Sequence, residues 1–236
     1  MRASILLPVL LIACQNHPDT QVTTGSPSEA KSSDKVPTAD GGVDAAGDVD
    51  ADAASIARVD ALEGDVKLRR AAELKATAVG ETLIPRDAIV TGSQSRARLA
   101  MPDDSILAVG PKSTVEINAF GRSDSFRTGK IRIAAGQFWL RISELLGAIT
   151  DVEVETSTVV AGIRGTTLWG DTERDLFCAL AGQVEVQKKG GETVELAAGE
   201  CLSKTKSDTP EKITPKAEQV GLFLDEVHIG EPLEAR

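Results

Sequence analysis

The sequence is poor in aromatic and histidine side chains. Tyrosine is absent, and five Phe and two Trp make up 3% of the 236 residues. The core must therefore be built from Val, Leu, Ile and Ala. His17 and His228 are the two histidines, and neither has a partner at metal-site spacing. Metal binding and acid–base catalysis commonly recruit His, so the sequence disfavours both.

Positive charge is also scarce, since 26 Lys and Arg oppose 36 Asp and Glu and leave a formal net charge of −10. Nucleic acids and anionic lipid surfaces bind clustered Lys and Arg, so neither is an expected partner. No glycine-rich phosphate loop followed by Lys and Ser or Thr is present. We therefore expect a protein without a cofactor or metal that is not an enzyme.

No apolar run reaches the length of a membrane-spanning helix, which is about 20 residues. The longest, residues 5–13, follows Arg2 and has the length of the apolar region of an export signal. It ends at Leu11-Ile12-Ala13-Cys14, which resembles the cleavage box of bacterial lipoproteins. The resemblance implies that residues 1–13 are a signal peptide and that Cys14 is lipidated. The alternative is an ordinary secretory signal with a chance Cys.

The segment after the cleavage box has a distinct composition. Residues 15–55 contain no aromatic residue, Leu or Ile, and their eight acids outnumber two Lys. Such a segment cannot bury enough apolar surface to offset the entropy of ordering. We predict a disordered acidic tether over residues 14–55 that holds the following domain away from a membrane.

From residue 56 to residue 205, short apolar runs alternate with period 2 and are broken by Gly, Pro, Asp and Ser, which is typical of an all-β domain. Ile142, Leu145, Leu146 and Ile149 form the one stripe with helical spacing. The predicted strands are Val66–Arg70, Ala88–Thr91, Ala97–Met101, Ile106–Val109, Thr114–Asn118, Lys130–Ala134, Gln137–Ile142, Val152–Thr156, Thr158–Gly162, Leu168–Gly170, Phe177–Leu180, Gln183–Lys188 and Thr193–Leu196.

A turn–strand unit recurs in the domain. In each copy a small residue precedes a Gly, a polar residue and an apolar alternation, and the glycines are Gly64, Gly136, Gly182 and Gly199. Glycine reaches backbone conformations that strain other residues, so each copy turns the chain into a strand. The repeat predicts a β-roll or short solenoid-like stack with one short helix.

Residues 206–236 form a polar, acidic C-terminal tail that is interrupted by apolar residues at 220–224 and 227–229. Two interpretations fit this patch. It adds an edge strand to the domain, which we favour, or it docks on a partner.

The order of motifs over residues 60–205 resembles the FecR domain, named for regulators of iron-dicitrate transport. Each motif is weak alone, but the ordered set is specific. The motifs are Thr91-Gly92, Ser95-Arg96-Ala97-Arg98-Leu99, Asp103-Asp104-Ser105, Gly110-Pro111-Lys112-Ser113, Gly136-Gln137-Phe138, the segment 156–166 ending in Gly165-Thr166, Gly182-Gln183-Val184, and Leu196-Ala197-Ala198-Gly199-Glu200.

The motif residues have a structural character. We expect Asp103, Asp104 and Ser105 to form a turn, with Gly165 and Gly199 in further turns and the Thr166 hydroxyl bonding backbone. Asp104 stands where the family usually has Gly, and Asp tolerates left-handed geometry better than most residues.

The resemblance implies a domain outside the cytoplasm with a role in protein contact. Well-known members cross the inner membrane and control a sigma factor through a cytoplasmic segment. We expect no such direct control here, because the chain shows neither feature. The expected function is a non-enzymatic interaction or sensory module on an envelope lipoprotein, with glycan or peptidoglycan binding as the alternative. Gln15 after Cys14 favours the periplasmic side of the outer membrane.

Cys178 and Cys201 remain after Cys14 is lipidated, and the exported compartment is oxidising. We favour a disulfide between them. Two separate buried thiols are the alternative, because the sequence does not give the Cα separation that a disulfide requires.

Two Trp residues are the clearest sign of a contact surface. The repeat places Phe138 and Leu140 on the core face of a strand, so Trp139 and Arg141 share the opposite face. Trp169 likewise lies on the face opposite to that of its neighbour Leu168. Exposed Trp is enriched at contact surfaces, so Trp139, Arg141 and Trp169 are candidate partner contacts. The helix at 143–149 or the C-terminal tail could instead cover this face, and burial is the interpretation that we favour.

Overall fold

The structure is a computed structural model that describes residues 55–123, 126–143, 149–207, 209–230 and 233. Among these residues, no helix is both long and apolar enough to cross a bilayer. The predicted signal peptide, Cys14 and residues 14–54 of the tether lie outside the described residues. So do residues 144–148 of the predicted short helix, and Ile149 begins a strand.

The described residues form eighteen strands and one helix. These are β1 (Ala57–Glu63), β2 (Val66–Arg70), β3 (Glu73–Ala76), β4 (Thr82–Leu83), β5 (Asp87–Thr91), β6 (Arg96–Ala100), β7 (Ile106–Val109), β8 (Thr114–Arg122), β9 (Phe126–Ala135), β10 (Gln137–Arg141), β11 (Ile149–Glu155), β12 (Val159–Ile163), β13 (Thr167–Asp171), β14 (Leu176–Ala181), β15 (Gln183–Lys188), β16 (Thr193–Ala197), β17 (Cys201–Ser203), β18 (Glu211–Ile213) and α1 (Ala217–Val227).

The strands form two nine-stranded sheets. The first has the order β18-β17-β14-β13-β10-β7-β6-β1-β4, and the second has the order β16-β15-β12-β11-β9-β8-β5-β2-β3. The predicted all-β class is confirmed, and the sheets are not closed. The solenoid-like stack is not confirmed. Within the described part of the chain, every strand pair is antiparallel except β9 with β11, whereas coils that stack in sequence order would pair in parallel.

A single apolar core lies between the two sheets, because one cluster of buried side chains draws on both. In β9 buried and exposed residues alternate, as expected for a strand with one face on the core and one in solvent. In β13 all five residues are buried. The first sheet is therefore covered on both faces around β13.

The four repeated glycines mark the points where the chain crosses between the sheets. Gly64 and Gly182 carry it from the first sheet to the second, and Gly136 and Gly199 carry it back. Their φ values are 75°, 67°, 90° and 85°, in the left-handed region that favours Gly. The repeat therefore encodes the crossing turn of the sandwich.

Candidate interaction site on the first sheet

One row of aligned residues crosses the outer face of the first sheet. The register pairs Trp139 with Ala108 on one side and with Trp169 on the other. Trp169 in turn pairs with Cys178, which pairs with Cys201. These five residues, here called the Trp row, belong to a second buried cluster separate from the main core.

Neither Trp of the row is exposed, since Trp139 is 1% and Trp169 0% accessible. The burial favoured from the sequence is therefore what the structure shows: the chain's own residues cover both rings, and Trp139 and Trp169 do not form an exposed contact patch. Arg141 stays half-buried, with its guanidinium carbon 5.9 Å from the Trp139 ring centre, within cation–π range. Both indole N–H groups are buried without a hydrogen-bond acceptor among the described residues. A buried donor without an acceptor costs about 1–3 kcal/mol.

The cover is the C-terminal helix α1. Its inward residues Val220, Phe223, Leu224 and Val227 follow the i, i+3, i+4, i+7 spacing of an amphipathic helix. Near its start, the Lys216 amide donates to Gln219 Oε1 over 3.0 Å. The edge strand expected from this patch is therefore replaced by a helix. Another part of the tail, β18, pairs with β17 at the edge of the sheet.

Apolar contacts hold α1 over the Trp row. The Phe223 ring stacks on Trp169, with 4.4 Å between centroids and 12° between planes. Val227 is fully buried and lies against Gly110, where an added Cβ would stand 2.9 Å from the Val227 Cγ1. The helix therefore runs across the strands of the first sheet, from β13 towards β7.

Arginines of the domain hold the C-terminal half of α1. Arg174 forms two hydrogen bonds with the Glu226 carboxylate, of 2.8 and 2.5 Å, and its guanidinium lies 5.9 Å from the Phe223 ring centre. Hydrogen bonding to Glu226 raises the pKa of the Arg174 guanidinium, against the opposing effect of burial. Arg96 donates to the Glu226 carbonyl at 2.8 Å, and Arg98 to the Ile229 carbonyl at 3.1 Å.

A disulfide joins Cys178 and Cys201 at the end of the Trp row, and both residues are fully buried. It connects β14 to β17 and closes a loop with a sequence separation of 23. A cross-link of this span lowers the entropy of the unfolded chain. It also fixes the part of the sheet that lies beside Trp169.

Replacing both cysteines, Cys178→Ala with Cys201→Ala, should lower the free energy of unfolding by roughly 3 kcal/mol. Urea denaturation followed by Trp fluorescence measures the change. Unmodified protein unfolded with a reductant present should show a loss of the same size. Equal midpoints for the double variant and the oxidised protein would refute the stabilising role.

The Asp103-Asp104-Ser105 motif forms a turn around a buried charge. Asp103 accepts hydrogen bonds from the Ser105 amide at 3.0 Å and the Ser105 hydroxyl at 2.9 Å. Its Oδ2 lies 2.5 Å from Nε of Arg127, and both charged side chains are 0% exposed. Arg127 also donates to the Ser143 carbonyl and hydroxyl oxygens. Asp104 has φ of 65°, the left-handed conformation expected for it.

Three other motif residues lie in turns outside the Trp row. Gly165 and Gly199 have positive φ and open space where a Cβ would stand. The expected hydrogen bond from the Thr166 hydroxyl is corrected, because this buried group has no partner among the described residues. Thr166 instead packs on Gly182, where an added Cβ would lie 2.8 Å from the Thr166 Cβ.

Sequence reasoning missed two parts of this arrangement. Arg127 was not recognised, although it shares its inward phase in β9 with Ile131 and Ile133. Helix α1 was missed because its apolar residues lie close together and were assigned to a strand. Across the described residues, no group of three or more His, Cys, Asp or Glu side chains is placed to hold a metal ion.

Comparison with known proteins gives one family match. Residues 87–185 match the sequence model of the FecR protein family. No curated protein matches the chain. Two crystal structures of a candidate anti-sigma factor from Parabacteroides distasonis ATCC 8503, at 1.65 and 2.50 Å, are similar, each with 16% identity and a TM-score of 0.47. The matches cover 58% of this chain and 64% and 63% of the length of those chains.

The family match begins at the first residue of β5 and ends within β15. It includes four of the five residues of the Trp row and the turn at Asp103, whereas Cys201 and α1 lie beyond it. The motifs and the sequence match agree on the FecR family for residues 87–185, and the covering helix lies outside that match.

Proposed function

We propose that the protein is a lipid-anchored envelope protein whose FecR domain is a non-enzymatic protein-interaction module with a regulatory or sensory role. One observation carries the proposal: an outer face of the domain is a row of apolar side chains that receives an amphipathic helix. Helix-in-groove docking is a recurring mode of peptide recognition. The family match supports a regulatory setting.

The anchor is proposed from the sequence Leu11-Ile12-Ala13-Cys14, with Gln15 favouring the periplasmic side of the outer membrane. Two or more acyl chains on Cys14 give stable membrane binding. The acidic residues 15–55 then act as a tether. The strong net negative charge makes direct binding to nucleic acid unfavourable.

Replacing the anchor residue, Cys14→Ser, should move most of the protein from the membrane fraction to the soluble envelope fraction, because the acyl chains are lost. Fractionation with immunodetection measures the distribution, and metabolic labelling with a fatty acid reports acylation directly. Ser33→Ala, a change in the predicted tether, is the control and should stay in the membrane fraction. A Cys14→Ser variant that remains membrane-bound would contradict the lipid anchor.

The interaction module is tested by photo-crosslinking in native membranes. A crosslinking amino acid at Arg141, beside Trp139, should capture one envelope protein that is identified by mass spectrometry and co-purifies reciprocally. The same probe at Arg69, a half-buried residue of the second sheet, should not capture it. Absence of any captured protein at residue 141 would contradict the proposal.

Glycan binding gains no support from the described residues. It would require exposed aromatic rings in a groove. Phe126, at 44% accessibility, is the only exposed aromatic side chain in the described part of the chain. Capture of glycan fragments from residue 141 would favour this alternative.

A further inference from the structure

We propose that the Trp row binds an amphipathic helix of the partner protein that carries a carboxylate in its last turn, and that α1 occupies this site in the resting protein and is displaced by that helix. This inference rests on the proposed interaction function and names the partner's chemistry. It assigns α1 the role of a replaceable cover.

The first argument is that α1 fits its site incompletely. Val227 is the one fully buried residue of the helix, whereas Val220, Phe223 and Leu224 are partly buried. The buried N–H groups of Trp139 and Trp169 find no acceptor in the described structure. A helix that carried a Ser, Thr, Asn or Gln oxygen over either indole would satisfy a donor that α1 leaves unpaired.

The second argument is that the site recognises features that many helices share. Arg96 and Arg98 donate to main-chain carbonyls at and beyond the C-terminal end of α1, at Glu226 and Ile229. Carbonyls at a helix C-terminus lack intrahelical partners and carry partial negative charge. These contacts do not depend on the side chains of the helix. A second helix with its C-terminus in the same place could make them.

The third argument is the directed pairing of Arg174 with a carboxylate of the helix. Three arginines border the apolar row: Arg96 and Arg98 at one end and Arg174 beside Phe223. Each of the three also pairs with an acid of the domain itself, so they offer directed guanidinium groups and no net positive charge; the acids are Glu63, Asp60 and Asp171, in that order. Arg174 forms a bidentate pair with Glu226, the geometry in which guanidinium recognises carboxylate most specifically. The site therefore favours a helix with an acid in its last turn.

The contacts define a recognition pattern. Apolar residues at the spacing of positions 220, 223, 224 and 227 face the sheet, and an aromatic at the second position stacks on Trp169. A carboxylate one residue before the last apolar position meets Arg174. Leu222, at 64% accessibility, lies outside the pattern.

The test uses the full-length protein in detergent and a fluorescent peptide of residues 215–230 as the probe. In the wild type, the tethered α1 competes at an effective concentration of about millimolar, so the peptide should bind weakly. In a release variant, Phe223→Ala with Glu226→Ala, the peptide should bind at least about tenfold more tightly. Trp emission should shift to the red in the release variant and return to the blue when peptide is added.

Matched peptides test the pattern. A Leu222→Ala peptide should bind like the parent, whereas Phe223→Ala and Glu226→Arg peptides should bind at least tenfold more weakly. Circular dichroism and cooperative unfolding check that the release variant remains folded, because the main core lies on the other side of the first sheet. A wild-type titration followed by hydrogen exchange at α1 gives a second measurement that needs no variant.

Three outcomes would overturn the inference. The first is no peptide binding to a folded release variant. The second is equal binding of the Leu222→Ala and Phe223→Ala peptides. The third is dimer formation by the release variant in analytical ultracentrifugation, with α1 of each copy bound to the Trp row of the other. The site would then bind a second copy of this chain. Crosslinking at residue 141 reports the proposed interaction function independently of all three.

Discussion

Replacing Asp103 by Ala should lower the free energy of unfolding by about 3–5 kcal/mol. The substitution leaves the Arg127 guanidinium buried with no carboxylate beside it, because both side chains are 0% exposed in the native protein. It also removes the acceptors of the Ser105 amide and hydroxyl. An uncompensated buried charge costs far more than the net value of the intact pair.

The neighbouring acid provides the control. Asp104 is exposed and has a φ of 65°, so Asp104→Gly should leave stability unchanged or slightly increase it. Chemical denaturation monitored by circular dichroism compares the two variants with the wild type. If Asp103→Ala unfolds at the denaturant concentration of Asp104→Gly, the buried pair does not have the assigned role.

Replacing Gly136 by Ala should lower the free energy of unfolding by about 3–5 kcal/mol. Two costs add at this crossing turn. The φ of 90° strains any residue with a Cβ. The new Cβ would also stand 2.0 Å from Ser113 Oγ and 2.5 Å from the Ser113 Cα, so the backbone itself must move.

Gly199→Ala separates the two costs, because Gly199 has a similar φ of 85° but nothing within 4 Å of an added Cβ. It should lose only about 1–2 kcal/mol, the conformational part. Thermal and urea unfolding of both variants measure the difference. Equal losses would show that steric contact with Ser113 is not what makes Gly136 necessary.

Most of the strands that face the core were predictable from the sequence, whereas β1, β4 and β17, which also contribute core residues, were not. All thirteen predicted strands correspond to observed ones, because apolar alternation follows directly from having one face on the core. The unpredicted strands β1, β3, β4, β17 and β18 include three at the edges of the sheets: β3, β4 and β18. Strands β3 and β18 are largely exposed and held by backbone pairing, so their sequences carry no apolar pattern.

The pairing of the strands was harder to predict from the sequence than their positions. The repeated glycines identified the turns correctly, but a turn does not specify which sheet the next strand joins. The chain alternates between two sheets with antiparallel neighbours, and that arrangement depends on contacts distant in sequence. The repeat alone therefore fits a solenoid-like stack as well as a sandwich.

The sequence predicted the face on which Trp139 lies but did not identify the helix that covers it. Alternation placed Trp139 opposite Phe138 and Leu140, and these residues lie in the two different clusters expected from that phase. The sequence offers two covers for Trp139, the helix at 143–149 and the tail, and the strand itself does not decide between them, because the observed cover comes from a segment about 80 residues away. The spacing of Val220, Phe223, Leu224 and Val227 is helical, but five consecutive largely apolar residues also suit a short strand.

Amide hydrogen exchange of α1 in the full-length protein tests the central claim most directly. With the 215–230 peptide or the crosslinked partner bound, amides of α1 should lose protection while those of β10 and β13 keep theirs, because a second helix takes the place of α1 on an intact sheet. If α1 exchanges only with the global unfolding of the domain and its protection does not change when the partner binds, α1 is a fixed part of the fold and the Trp row is not the interaction site.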